Sequence, residues 1–231
     1  MESFQYKYHF KLKNGNEKSF VVTIDDENLN IINDNVTEKP EWAKMENFKC
    51  PHCPLDIEQN PYCPAALSLN HILDEFSAIP SYELAVVTVE SKHRTYQKDS
   101  TAQGGLSSLM GLLMVGSGCP ILGKLKPMIK YHLPFASIDE TEYRVFSTYL
   151  LAQFIKMKKG GTPDWNMQGL QKIYHDINVL NKSVASKIVK LEKLDANVNA
   201  VVILNNFADS VTMSLEDQDF WQVEPYFKEF Y

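Results

Sequence analysis

The stretch Phe4-Gln5-Tyr6-Lys7-Tyr8-His9-Phe10-Lys11-Leu12 alternates aromatic or apolar side chains with polar ones, then meets Asn14-Gly15. Successive side chains of extended backbone point to opposite faces, so a period of two marks a half-buried strand. Asn-Gly is the strongest short hairpin signal, because both positions accept positive φ. Phe20-Val21-Val22-Thr23-Ile24 is the returning strand. Tyr6, Tyr8 and Phe10 therefore share one face, which is expected to pack on helices.

Working outward, Leu84 to Glu90 is a second Val- and Thr-rich strand, with Arg94 to Lys98 as its hairpin partner across Ser91-Lys92-His93. The four strands are expected to form one small antiparallel sheet. Between the hairpins, Pro64 opens a helix at a position that tolerates proline. Its stripe is Leu69, Ile72, Leu73 and Phe76. Residues 25–47 hold seven acidic side chains against Lys39 and Lys44, and read as an acidic, mostly irregular connection.

The rest reads as helical. Thr101 to Val115 is apolar, with Gly104, Gly105 and Gly111 allowing close packing, and Gly116-Ser117-Gly118 stops it. Ser137 with Glu140 three residues on is a capping box. The stripe Tyr143, Phe146, Leu150, Phe154 follows, and Lys158-Lys159-Gly160-Gly161 ends that helix. A long helix from about Asp164 is expected to bury Leu170, Ile177, Val184 and Leu191, seven apart, with Ile173, Leu180 and Leu194 adjoining and Lys187 interrupting. A last helix runs from about Ala196 to Leu215.

The composition is that of a globular chain, with 44% hydrophobic and 23% charged residues. A net charge of −6 weighs against a nonspecific nucleic-acid or anionic-membrane binder. The longest apolar run, Leu109 to Val115, falls well short of the ~20 residues of a membrane span. The N-terminus carries no signal-peptide pattern, so the expected compartment is the cytoplasm, where thiols stay reduced.

In such a compartment four cysteines point first to metal or thiol chemistry. They are Cys50, Cys53, Cys63 and Cys119, each followed by proline. Cys50-Pro51-His52-Cys53 has the two-residue gap that lets two thiolates of one turn face a single ion. Four thiolates match a closed tetrahedral zinc site. A four-iron, four-sulfur cluster on the same ligands is the alternative, and ordinary thiols are the third reading. Cys119 stands 56 residues after Cys63 and joins the site only if the fold returns it. The string also resembles the active site of oxidising thioredoxin-fold proteins, but Pro54 and Pro61 interrupt the helix that chemistry needs.

Other signals are weaker. Gly118 to Lys124 fits seven positions of a phosphate-binding loop, but Leu125 replaces the Mg²⁺-binding hydroxyl. His52 can stand in for a cysteine ligand or sit behind the ligands. His132 can face Glu140 or Glu142 as a base, beside Arg144, or be a satisfied core histidine. Lys182, Lys187, Lys190 and Lys193 read as a solvated helix face. The last twelve residues hold six aromatics, expected to dock on the chain's own core or on a partner.

Cys50-Pro-His-Cys-Pro-Leu, Tyr62-Cys-Pro, Gly105-Leu-Ser-Ser-Leu-Met-Gly-Leu, Ser117-Gly-Cys-Pro, His132-Leu-Pro-Phe-Ala-Ser and Tyr149-Leu-Leu-Ala-Gln together resemble an uncharacterised family of bacterial proteins with a Cys-Pro-x-Cys-Pro motif. The resemblance covers most of the chain. It implies a bacterial cytoplasmic protein and supplies no activity, ligand or partner.

The expected fold class is α+β, in a single domain over residues 1–231. A hairpin and acidic connection (1–47) lead to a cysteine knuckle (48–64). A helix and second hairpin (65–100) follow, then a helical portion (101–231). The expected function is a non-catalytic regulatory or scaffolding protein with a structural zinc site and a protein partner or homo-oligomer contact. An iron–sulfur or thiol redox sensor is the first alternative. An enzyme with a helical pocket near His132 and Glu140 is the second.

Overall fold

The computed structural model describes residues 2–32, 39–131, 133–191, 193–217, 220 and 223–231. The fold is α+β. β1 (Ser3–Leu12) and β2 (Glu17–Asp25) form the expected hairpin, with Tyr8 opposite Phe20. β1 also pairs with β3 (Leu84–Glu90), with Phe10 opposite Val87, and β4 (Thr95–Thr101) pairs with β3. The antiparallel order is β2-β1-β3-β4. β4 is a mostly exposed edge carrying Gln97, Lys98 and Asp99. Charges there discourage edge-to-edge pairing.

The alternation of β1 turns Tyr8, Phe10 and Leu12 inward, all buried, with Tyr6 partly buried. Two helices cover that face. α2 (Pro64–Phe76) sets Phe76 edge-on to Phe10, ring centres 5.1 Å apart. α3 (Ala102–Gly116) starts where the Thr101 side chain accepts the Gly104 amide, and its Ser108 hydroxyl lies 3.1 Å from the Tyr8 hydroxyl. Gly105 is required here, because a Cβ would stand 2.6 Å from a Phe10 ring carbon and 2.7 Å from a Val87 methyl.

Before α2 lies a four-residue helix, α1 (Met45–Phe48). After α3 come a 3₁₀ turn (Leu122–Leu125) and α4 (Lys126–Tyr131), whose Ile129 carbonyl accepts the Tyr6 hydroxyl at 2.9 Å. α5 (Ile138–Lys158) opens with the expected capping box. α6 (Gln168–Ile188) and α7 (Ala196–Asp217) pack along each other, and α7 also lies against α3.

Three expectations are corrected. The long helix starts at Gln168, and Asp164 accepts the Gly169 amide and the Tyr149 hydroxyl ahead of it. It ends at Ile188 because the chain turns so that the Lys193 and Leu194 amides reach the Ser77 carbonyl. Leu170, Ile177, Val184 and Leu180 are buried, whereas Leu191 and Leu194 are exposed and Ile173 is half-buried. On α5 only Phe146 of the expected stripe is buried, and Tyr143, Leu150 and Phe154 are exposed. Beyond Phe146, only Gln153 of α5 is buried, holding the Asp164 amide, so the C-terminal half has no apolar cover. The aromatic tail divides: Phe220 meets Phe146 edge-on and Phe227 stacks on Tyr143, while Tyr226, Phe230 and Tyr231 are exposed. Trp221 lies outside the described residues.

Asp195 joins the helices to the sheet. Its carboxylate accepts the Ser81 amide at 2.8 Å, the Ser81 hydroxyl at 3.0 Å and the Asn199 amide at 2.8 Å. The Ser81 amide first, with its hydroxyl, holds the Asp195 pKa below the ordinary aspartate value. A carboxyl with a lowered folded-state pKa adds stability above its unfolded value of ~3.9, lost as pH falls through the folded value. The stability advantage of the unchanged protein over Asp195→Asn should therefore shrink as pH drops below about 4. Denaturant midpoints at pH 7 and pH 3 check this, and an equal gap at both would remove Asp195 from the linkage.

Candidate metal centre

The four cysteines come from three places in the chain. Cys50 follows α1, and the Cys53 amide donates to the Cys50 carbonyl at 3.1 Å, closing the Pro51-His52 turn. Cys63 caps α2, and its own amide donates to the Ala43 carbonyl at 2.8 Å. Cys119 follows Gly118, whose φ of +89° suits glycine, and its carbonyl accepts the Gly123 amide at 2.8 Å. Cys50, Cys63 and Cys119 are buried, Cys53 is half-buried, and all four thiols are free.

Burial governs these thiols. Burial pushes the Cys63 thiol up to about 11, and Cys50 and Cys119 add to that push. Burial also raises Cys119, with Cys50 and Cys53 adding to it, and raises Cys50, with Cys53 adding. As arranged, among the described residues no group of three or more His, Cys, Asp or Glu is close enough together to hold a metal ion.

Several neighbouring groups oppose the effect of burial without cancelling it. The Ala65 and Ala66 amides at the start of α2 act against the rise at Cys63, and the Leu122 and Ile121 amides at the turn that follows act against it at Cys119. The Ser183 hydroxyl and the Lys187 ammonium both act to lower the Cys50 pKa against the larger effect of burial. Lys187 is corrected from a solvated position. Its Nζ donates to the Phe48 and Lys49 carbonyls at 3.0 and 2.8 Å and lies 5.2 Å from the Phe48 ring centre. The available signal was its interruption of the α6 seam. Ser183 carried none. His52 has both ring nitrogens buried without a hydrogen-bond partner among the described residues, an arrangement that costs free energy until another group arrives.

A family model described as a domain of unknown function, DUF6901, matches residues 4–228. The chain belongs to the DUF6901 family. No curated protein and no solved structure matches it. Among the described residues no helix is long and apolar enough to cross a membrane.

The other candidate constellations of this DUF6901 chain do not form. Cys50 and Cys53 occupy a turn after a short helix, not a helix start after a strand as thioredoxin-type chemistry requires. Gly118 to Lys124 follows α3 with no preceding strand, so it is not a phosphate-binding loop. Glu140 is held in its capping box, Glu142 accepts the Ser210 hydroxyl at 2.5 Å, and Arg144 donates to the Glu140 carbonyl. A pocket does open beside this segment, lined by Leu133, Phe135 and Thr141, but not by Glu140, Glu142 or Arg144. His132 lies outside the described residues.

Proposed function

We propose that the chain is a non-catalytic regulatory or scaffolding protein of the bacterial cytoplasm, a single domain over residues 1–231, in which Cys50, Cys53, Cys63 and Cys119 hold a structural zinc ion. The observation that carries this is the burial of Cys50, Cys63 and Cys119 as free thiols in one core, with both ring nitrogens of His52, next to Cys53 in sequence, buried and unpaired among the described residues. Binding one ion would draw the four sulfurs together, since as arranged no three ligating side chains among the described residues are close enough to share one. Backbone amides at Cys63 and Cys119 and the Lys187 ammonium offset the negative charge of a tetrathiolate. Protonated, buried thiols are poor nucleophiles, which weighs against thiol redox chemistry. The free state of all four thiols supports a reducing compartment. A protein partner or a second copy of the chain would meet the helical portion. The exposed apolar side chains of α5 support that part, and a strict monomer in sedimentation would remove the second copy.

The ion would tie the first third of the chain to the helices. Closing the Cys63–Cys119 loop removes roughly 4 kcal/mol of unfolded-state entropy, to which chelation by the folded state adds. The test is metal content per chain of anaerobically purified protein and of each single Cys→Ser variant. One colourless zinc per chain, with metal and melting temperature falling in all four variants, is the expected result. Full occupancy in Cys119→Ser beside loss in the other three would place Cys119 outside the site. Brown protein with iron and sulfide would transfer the site to a four-iron cluster. Unchanged protein without metal would end the reading.

A further inference from the structure

A cavity of about 320 Å³ lies between the inner face of the sheet, α3, the turn and helix after it, α6 and α7. Its walls are chiefly apolar, from side chains such as Leu112, Met128, Phe135, Leu204 and Phe207. Gly111 of α3 also lines it, and a Cβ there would meet only a Leu204 methyl, at 3.3 Å.

Three buried side chains on these walls carry unused polar groups. Tyr174 and Asn181 stand two turns apart on α6, 5% and 3% exposed, and Ser107 on α3 is 4% exposed. Among the described residues none of the three side chains has a hydrogen-bond partner. Buried polar groups are nearly always paired, by protein, water or ligand, and leaving one unpaired is costly. A chiefly apolar cavity with a few polar side chains on its walls is the ordinary make-up of a small-molecule site.

The rim has one charge. Among the described lining residues Lys98 of β4 is the single charged side chain and the single fully exposed one. No carboxylate among the described residues pairs with it. A volume of about 320 Å³ lies in the range of small-molecule sites.

We propose that this cavity binds a medium-chain carboxylic acid bearing an oxygen at its far end. The apolar body of about eight carbons fills the interior, the far oxygen meets Tyr174 and Asn181, and the carboxylate rests at the rim beside Lys98. The inference concerns a site separate from the four cysteines and does not depend on zinc.

The test uses the purified full-length protein with three probes: 8-hydroxyoctanoic acid, octanoic acid and octan-1-ol. Isothermal titration at moderate salt measures affinity and stoichiometry. The expected result is one site per chain, tightest for the hydroxy acid. Tyr174→Phe removes only the hydroxyl and should weaken the hydroxy acid about tenfold while leaving octanoate within about twofold. Lys98→Gln should weaken both acids about threefold, as an exposed charge pair would, and leave octanol unchanged. Gly111→Leu should abolish binding of all three. Melting curves show whether each variant is folded, and if Gly111→Leu is not, the two conservative variants decide. Failure of all three probes to bind would mean the cavity holds only water and would overturn the proposal. Equal binding to the unchanged protein and to Tyr174→Phe and Lys98→Gln would also overturn it, because binding would then lie elsewhere.

Discussion

A Val184→Asp protein is expected to unfold at a much lower denaturant concentration than the unchanged protein. Val184 is 1% exposed on α6, on the same helix face as Ile177 and Leu180, against the packing with α7. An aspartate there would have to ionise without a partner or stay protonated against its ordinary pKa. Uncompensated buried charges cost about 3–5 kcal/mol, a large part of the 5–15 kcal/mol that holds a typical domain folded. Leu191→Asp, seven residues on, is the control. Leu191 is 38% exposed beyond the helix end, so that change should stay within about 0.5 kcal/mol. Equal losses in the two variants would mean that the helix continues through Leu191, and no loss at Val184 would mean that this face meets solvent.

Gly105→Val is expected to be the most damaging of the glycine replacements on α3. The first added carbon already falls 2.6 Å from the Phe10 ring and 2.7 Å from Val87. Both neighbours are fully buried and cannot swing aside. Overpacking of this kind costs about 1–3 kcal/mol and occasionally more. The better helix propensity of valine over glycine recovers only a few tenths. Gly123→Ala is the comparison, because a Cβ there would meet nothing nearer than a Lys126 side-chain carbon at 3.9 Å. Chemical unfolding of both variants checks the contrast. A Gly105→Val protein as stable as the unchanged one would mean that α3 rides further from the sheet.

The sheet was legible because its information is local. Alternation in β1 and the Asn14-Gly15 turn specify both the hairpin and the buried face. The cap at Ser137 and the proline opening α2 were legible for the same reason, since each is a short-range hydrogen-bonding or φ constraint. What escaped depends on where distant segments meet. Leu191 fits the heptad of α6, but hydrogen bonds to Ser77, more than a hundred residues earlier, turn the chain away first. The stripe of α5 has helical spacing, and helical spacing alone does not supply a neighbour to cover it. The four cysteines could be named from their prolines and spacing, whereas the place of Cys119 relative to the other three depends on the tertiary fold. Ser183 and Lys187 were hidden for the same reason, because a serine and a lysine on a helix acquire meaning only from what packs beside them. Tyr174, Asn181 and Ser107 became notable only through burial without a partner.

The pairing of β1 with β3 sets an order of events on the ribosome. The first hairpin is complete once residue 25 has emerged, but its second edge has no strand to take until about residue 90, and its aromatic face has no α3 until later still. At ~5–20 residues per second, that interval lasts on the order of several seconds. For that time the nascent chain carries Tyr8, Phe10 and Phe20 on an uncovered two-stranded ribbon, a unit too small to be stable alone. The stretch directly behind it, residues 25–47, carries seven acidic side chains against two lysines, and like charges of that kind oppose close contact between two such ribbons.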